Sequence, residues 1–254
     1  MNAVEKMLPQ LKSLRLSGVL DTLEVRARQA VEQRLSHLEF LAIVLSDEHE
    51  RRENKKLVLR MKKASIDGRQ TLDNFSFEVP NLKLNSSQIF DLATCQFVEE
   101  RDNVLIVGPT GVGKSHLAEA IGHRACGRGF EVTQLAFRKA MESLRAGRAD
   151  GTYTRRLKSL TRPDLLILND FGLKPLASPD DEHFHDLVED RYRKASMILT
   201  SNLDFPDWGK VFPNAILGEA TVDRLRHDAH RVTIEGDSHR RPREVRPGSR
   251  TPLA

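Results

Sequence analysis

Apolar residues in the first seventy or so positions recur at helical spacing. Leu8, Leu11 and Leu14 step by three, Gly18 interrupts the run, and Leu20 and Leu23 resume it. Ser36 followed by Glu39 is a capping-box signature. It predicts a helix with Leu38, Leu41 and Leu45 on one face, continuing through RRENKKLVLRMKK. From Ile66 to Asn103 the periodicity fades, and Pro80 and several Asn and Ser residues appear, which reads as a linker. Beyond Asn103 short β-branched runs alternate with helical segments. Strands are expected at 103–107, 130–135, the run LLIL (165–168) and 197–202. Helices are expected over HLAEAIGHRACG, 137–147, 151–160, and from a Ser178 cap with Pro179 in the first position to about Arg193. Such alternation predicts a parallel sheet with helices on both faces. The expected organisation is a helical domain 1–66, a linker 67–102, an α/β domain 103–240, and a basic tail 241–254 whose Pro, Arg, Gly and Ser content predicts disorder.

The 254 residues carry 40 Lys+Arg against 36 Asp+Glu, a net +4, so the placement of charge matters more than its sum. Cys95 and Cys126 lie far apart without metal-ligand spacing, which argues against a disulfide framework or zinc site and fits a reducing compartment. FLAIVL is far short of the ~20 apolar residues of a bilayer span, and MNAVEKMLPQ has no apolar signal core. A cytoplasmic protein without a membrane partner is expected.

GPTGVGKS matches G-x-x-x-x-G-K-[ST] between an expected strand and an expected helix. Glycines at these positions let consecutive backbone N–H groups curl around phosphate oxygens, and the helix start adds partial positive charge. Gly108, Pro109, Thr110, Gly111, Val112, Gly113, Lys114, Ser115 and the following His116 are therefore the candidate ATP-binding residues. Lys114 is suited to the β- and γ-phosphates, and the Ser115 hydroxyl to Mg²⁺.

A full strand separates the P-loop helix from LLILND, and another follows it, ending at Thr200, Ser201 and Asn202. This order resembles the additional-strand P-loop ATPases, the AAA+ group among them. The resemblance makes LLILND the Walker B strand and Asn202 sensor 1, a polar side chain near the γ-phosphate or the attacking water. Only one register of the Walker B pair makes chemical sense. If Asp170 supported the metal, Phe171 would have to polarise water, which it cannot do. Asn169 therefore takes the metal side, beside Ser115 and Asp170 in the candidate Mg²⁺ set, and Asp170 takes the water-activating position. An amide oxygen accepts a hydrogen bond but carries no charge. Nucleotide binding is expected to survive and hydrolysis to weaken.

GPTGVGKSHLAEAIG, LLILNDFGLKPL, ILTSN with DFPDWGKVF, DRLRHDAHRVTIEGDSHR, and the N-terminal LKSLRLSGVLDTLE, LSHLEFL and RRENKK together resemble the IstB-type helper ATPases of insertion sequences, relatives of the DnaC-type helicase loaders. The resemblance runs from about Leu11 to Arg240. It implies ATP-driven homo-oligomerisation on double-stranded DNA, DNA deformation, and stimulation of a cognate transposase. It also implies that Arg224, in DRL, is an arginine finger completing a neighbour's site; a surface helix arginine is the competing reading. The fold expected is an α/β P-loop core of the AAA+ class with an N-terminal helical domain and no full C-terminal lid; Arg240 is the one residue noted near sensor 2. A helicase loader, or an ATP-gated DNA scaffold with little hydrolysis, remain as alternatives.

Between Arg51 and Arg69, eight basic residues face two acids, Glu53 and Asp67. Arg51, Arg52, Lys55, Lys56, Arg60, Lys62 and Lys63 are the candidate DNA contacts, and Arg52, Lys56, Arg60 and Lys63 form a stripe at i+4, i+4 and i+3. A stripe of this kind suits phosphate contacts, which add affinity without reading sequence. An ordinary solvated helix face has the same pattern.

Overall fold

The computed structural model describes residues 3–79 and 81–238. Arg240 and the tail from 241 lie outside them. The described chain divides into two compact units, Met1–Lys62 and Lys63–Ala254.

The first unit is built from α1 (Ala3–Ser13), α2 (Ser17–Glu32) and most of α3 (His37–Ala64). The capping box forms: the Ser36 N–H donates to Glu39 Oε2 at 2.7 Å and the Glu39 N–H to Ser36 Oγ at 3.3 Å. The apolar face expected on α3 does not face the core. Leu38, Leu41 and Leu45 are 78, 50 and 55 % exposed, whereas Val44 and Glu48 are buried, with Val19, Leu23 and Val44 packed against Phe40 and Leu11. The reason is a polar group at a core position. Glu48 Oε2 accepts the N–H groups of Gly18 and Val19 at 2.6 and 3.3 Å, so a carboxylate on α3 caps the start of α2. Gly18 is required there, because a Cβ would sit 2.7 Å from Glu48 Cα and 2.8 Å from the Asp47 carbonyl oxygen. Burial pushes the Glu48 carboxyl up, but Arg52 and the two N–H groups outweigh it and hold the group below the usual range. One residue earlier, Asp47 takes a two-pronged bond from Arg26, 2.8 Å on each side.

The second unit is a five-stranded parallel sheet in the order β2-β3-β4-β1-β5. Its strands are β1 (Asn103–Val107), β2 (Val132–Ala136), β3 (Leu165–Phe171), β4 (Ser196–Ser201) and β5 (Ala229–Thr233). β4 therefore lies between β1 and β3, the arrangement of an additional-strand P-loop sheet. Alternate side chains of these buried strands enter two layers. On one face α6 (Lys114–Arg128) covers the sheet so closely that a Cβ on Gly122 would lie 2.6 Å from Ile167 Cδ1. On the other, Leu166, Leu168 and Phe171 join Met141 and Leu144 of α7 (Phe137–Asp150) and Phe184 and Leu187 of α9 (Asp180–Arg191). Trp208, in a 3-10 turn over Phe205–Val211, closes this layer and donates its Nε1–H to the Leu203 carbonyl at 3.1 Å. α8 (Tyr153–Thr161) and α10 (Ala215–Arg226) complete the shell.

Three details differ from the sequence expectation. Residues 67–102 carry α4 (Ser86–Ala93) and α5 (Gln96–Glu100), with Leu72, Ile89, Leu92 and Phe97 buried. The polar residues that suggested a linker include a helix cap, since Asn85 accepts the Gln88 N–H at 3.2 Å. α9 begins at Asp180 with Pro179, not Ser178, at its cap position and no side-chain cap bond. β5 has no counterpart in the expectation because it is an edge strand in which only Val232 is buried, too little for a hydrophobic pattern. Among the described residues no helix is long and apolar enough to cross a membrane.

The Arg26 bond, aided by Thr22 and opposed by burial, holds the Asp47 carboxyl at about 2. A lowered folded-state value gives stability that is present above the unfolded value, near 3.9, and is lost as pH falls toward the folded one. The melting temperature of the full chain should therefore exceed that of Asp47→Asn at pH 6, with the gap closing between about pH 4 and 2. A gap that stays constant over this range would remove the ion pair from the account.

Candidate nucleotide site

At the carboxyl ends of the strands, β1 turns sharply into α6 through residues 108–113. Gly111 and Gly113 have φ of +90° and +98°, a region that side chains disfavour. Space is as restrictive as angle: a Cβ on Gly113 would lie 2.8 Å from Phe75 Cε2, and on Gly111 2.2 Å from Ser238 Oγ. The turn is a tight backbone cradle at a helix start, the arrangement that binds phosphate. Lys114, almost fully buried, donates to the carbonyls of Gly108 and Pro109 at 2.8 and 2.7 Å.

Above the cradle is a cavity of about 360 Å³ lined by Gln70, Thr110, Gly111, Gly113, Lys114, Ser115, His116, Asp170, Leu173 and Asn202. Candidates from three separate sequence segments thus meet in one place. Gly108, Pro109, Val112 and Asn169 are not among its lining residues; Val112 is fully buried. A larger recess of about 790 Å³, between Phe205, Lys210, Phe212, Arg226 and Arg231, has no glycine cradle and none of the candidate residues.

The ends of β3 and β4 are joined through Thr200. Its buried hydroxyl donates to Asn169 Oδ1 at 3.0 Å and accepts the Asp170 N–H at 3.0 Å. Asp170 has φ +65°, and the register between β3 and β4 shifts between Leu168 and Phe171. The kink turns Asp170 toward the cavity and sends Phe171 into the core, against Trp208 (4.9 Å between ring centroids) and Phe137 (5.2 Å). The donor set fits a nucleotide: a backbone cradle, a buried cation, a hydroxyl and a carboxylate. It fits a divalent metal less fully, because Ser115 and Asp170 line the cavity while Asn169 does not, and its uncharged oxygen accepts the Thr200 hydroxyl.

The family description "IstB-like ATP binding protein" matches residues 9–246. The chain belongs to that family. An insertion-sequence ATP-binding protein of Mycobacterium tuberculosis is 36 % identical over 242 residues, 95 % of each chain. An IS21 ATP-binding protein of Pseudomonas aeruginosa is 34 % identical over 240 residues, 94 % of this chain and 89 % of its own. Among solved structures, DnaI superposes with a TM-score of 0.57 at 19 % identity, covering 65 % of this chain and 91 % of that one. DnaA bound to AMPPCP and single-stranded DNA gives 0.55 at 21 %, covering 68 % and 51 %. At these identities the neighbours establish the fold, a P-loop AAA+ core.

The remaining candidates of this IstB-like chain lie elsewhere. Arg224 is not in the cavity; its Nε contacts Glu189 Oε2 of α9 at 2.5 Å, and Nη1 donates to the Ala220 carbonyl at 3.1 Å. On α3, Arg51 pairs with Asp21, Arg52 with Glu48 (2.6 Å), Lys56 with Glu53 (2.6 Å) and Lys63 with Glu131 (3.0 Å). Lys55 and Lys62 are exposed without an ion pair among the described residues. The pairs of Arg51, Lys56 and Lys63 are exposed and screened by solvent, so they do not hold these cations back from a stronger anion, whereas Arg52 is tied to the buried Glu48 carboxylate.

Sequence reasoning missed the segment before β1 that wraps the start of α6. The Thr71 carbonyl meets His116 Nε2 at 2.9 Å, the Asp67 N–H donates to Glu119 Oε1 at 2.9 Å, Phe75 covers Gly113, and Gln70 enters the cavity wall. The only signal there was TLDNF, a buried Leu72 and an aromatic in a polar stretch.

Thr200→Val keeps the shape and removes the hydroxyl, stranding the Asn169 oxygen and the Asp170 N–H. Chemical denaturation should register a loss of about 1–3 kcal/mol. A loss below about 0.5 kcal/mol, the range of ordinary surface substitutions, would mean that the hydroxyl does not hold the two strand ends.

Proposed function

We propose that this IstB-like protein is an ATPase helper of DNA transposition. In this reading it assembles with copies of itself on double-stranded DNA when ATP is bound, deforms the DNA, and stimulates a cognate transposase. The observation that carries the reading is the convergence of Lys114, Ser115, Asp170 and Asn202 on one cavity above the glycine cradle. The relatives' descriptions as insertion-sequence ATP-binding proteins support the transposition context.

The roles follow from the chemistry of each group. The backbone from Gly108 to Gly113 and Lys114 bind the phosphates. Ser115 would hold Mg²⁺ through its hydroxyl, with Asn169 on the metal side and Asp170 beside it, and the ion would supply neutralisation of phosphate charge. Asp170 accepts the proton of the attacking water, and Asn202 aligns the γ-phosphate. Arg224 serves a neighbouring subunit's site after exchanging Glu189 for the phosphate. Asn169 supplies no negative charge on the metal side. The protein is therefore a slow ATPase whose ATP-bound assembly is long-lived, a reading favoured over a helicase loader by the relatives' insertion-sequence context.

Asn169→Asp should raise the steady-state ATPase rate on duplex DNA by about tenfold, the equivalent of roughly 1.4 kcal/mol of barrier. An unchanged rate would show that the amide does not limit turnover. For the cations of α3, duplex binding should weaken steeply with salt. Replacing Lys55, Lys56 and Lys62 together by Gln should flatten the log–log slope by about 2–3, near 0.9 per phosphate contact. An unaltered slope would leave these lysines as a solvated helix face.

A further inference from the structure

Three leucines of α3 are exposed although the packing of the helical unit does not call for it. Leu38, Leu41 and Leu45 face solvent, while the contact of α3 with α2 uses Val44 and Glu48. Residues at steps of three and four share one side of a helix. The same steps lead on from Leu45 through His49 to Arg52, Lys56 and Leu59, all of them exposed. One stripe therefore runs along α3, with leucines in its first half and cations in its second, and Leu59, 58 % exposed, beyond them. No position of the stripe is acidic. Arg52 bonds Glu48 through Nε at 2.6 Å, and Lys56 meets Glu53 in an exposed pair at 2.6 Å. Both cations keep further N–H groups for another anion.

The stripe is also presented rigidly. On the opposite side of α3, Glu48 takes the N–H groups of Gly18 and Val19, and Asp47 takes the two-pronged bond from Arg26. These contacts fix the rotation of the helix, so a partner would pay little to order this surface. An exposed apolar array marks a contact surface, and anchors at i, i+3 and i+7 suit a second helix laid alongside. The charges decide whose helix it is. A second copy of the stripe brings no acid: parallel pairing sets cation against cation, and antiparallel pairing sets leucines against cations. Duplex phosphates would suit Arg52 and Lys56 but leave the leucines in water. We infer that the stripe docks an amphipathic helix of another protein, with apolar residues over Leu38, Leu41 and Leu45 and Asp or Glu over Arg52 and Lys56. The contact is independent of nucleotide turnover.

The test uses the full chain and a labelled synthetic helix of about six turns, the length of the stripe. The peptide carries leucines at three- and four-residue steps in one half and glutamates in the other, and is made in both orders along its chain. Fluorescence anisotropy at low salt should show one order binding with a micromolar dissociation constant, and the same peptide with lysine for glutamate binding at least about tenfold more weakly. Leu38→Ser, Leu41→Ser and Leu45→Ser combined should weaken the glutamate peptide by about tenfold or more. Because these side chains are exposed, the variant should keep its melting temperature within about 2 °C and its duplex DNA affinity within about twofold. The charge-swapped peptide tests the contact on the unaltered chain, whatever the variant does to the fold. No binding of either order at about 100 µM would overturn the inference, as would equal binding of the lysine peptide or equal binding by a folded serine variant. A serine variant that lost duplex affinity in step with peptide affinity would make the stripe a DNA surface and overturn it too. Retained peptide binding with loss of self-assembly would assign the leucines to a second copy, with the same result.

Discussion

Thr200 stands where two neighbouring parallel strands end, and its one hydroxyl serves both residues of the pair on which the candidate chemistry turns. It donates to the Asn169 oxygen and accepts the Asp170 N–H. That second bond matters because Asp170 lies at φ +65°, where its N–H no longer joins the ladder of a regular strand. An unpartnered N–H in this half-buried position would cost free energy comparable to a lost hydrogen bond. The hydroxyl lets the strand kink, and the kink separates two neighbouring side chains: Asp170 lines the cavity while Phe171 packs against Phe137, Phe184 and Trp208. A polar tip and a rigid aromatic anchor on adjacent residues fix the carboxylate more firmly than a loop could.

The other wall of the cavity is set by close approach. Gly113 has no room for a side chain because Phe75 lies over it, and Phe75 in turn makes edge contacts with His116 and Phe77. The segment 67–77 thus has the same relation to the cradle as Thr200 has to the end of β3. Each is a structure outside the motif that determines where the motif's atoms lie. Glu48 does the corresponding work in the helical unit, where its carboxylate occupies the start of α2 and the close approach of the α3 backbone forces glycine at position 18.

Much of this was legible because it depends on local rules. The runs 104–107 and 165–168 are continuous apolar strands, as a sheet buried on both faces demands, and the glycine spacing from 108 to 113 is a local pattern that positive backbone angles require. Ser36 and Glu39 lie within one turn of each other, so their reciprocal bonds could be read directly. What was not legible depends on partners far away in sequence. Glu48 reads as a surface residue until α2 arrives 30 positions away to use its carboxylate. Leu38, Leu41 and Leu45 form a good helical face by periodicity, but periodicity does not say which of two faces a neighbour covers. Gln70 carries no motif, and its place in the cavity comes from bonds to Glu119 and His116 on either side.

The amide at position 169 gains its meaning from the same hydroxyl. A carboxylate there would have two equivalent oxygens, one for Thr200 and one charged oxygen left for a cation. Asparagine has one acceptor oxygen, which already receives the Thr200 hydroxyl at 3.0 Å, and its other terminal atom is an N–H donor that repels a cation. The amide therefore lacks more than a charge: it lacks the second acceptor oxygen. Under the proposed function, binding of the triphosphate rests on the glycine cradle and Lys114 and is untouched by this, whereas stabilising the charge that develops during transfer is not. An ATP site built in this way separates holding from turnover. Under the proposed function, in which ATP-bound copies assemble on DNA, holding the nucleotide is what lengthens the life of the assembled state.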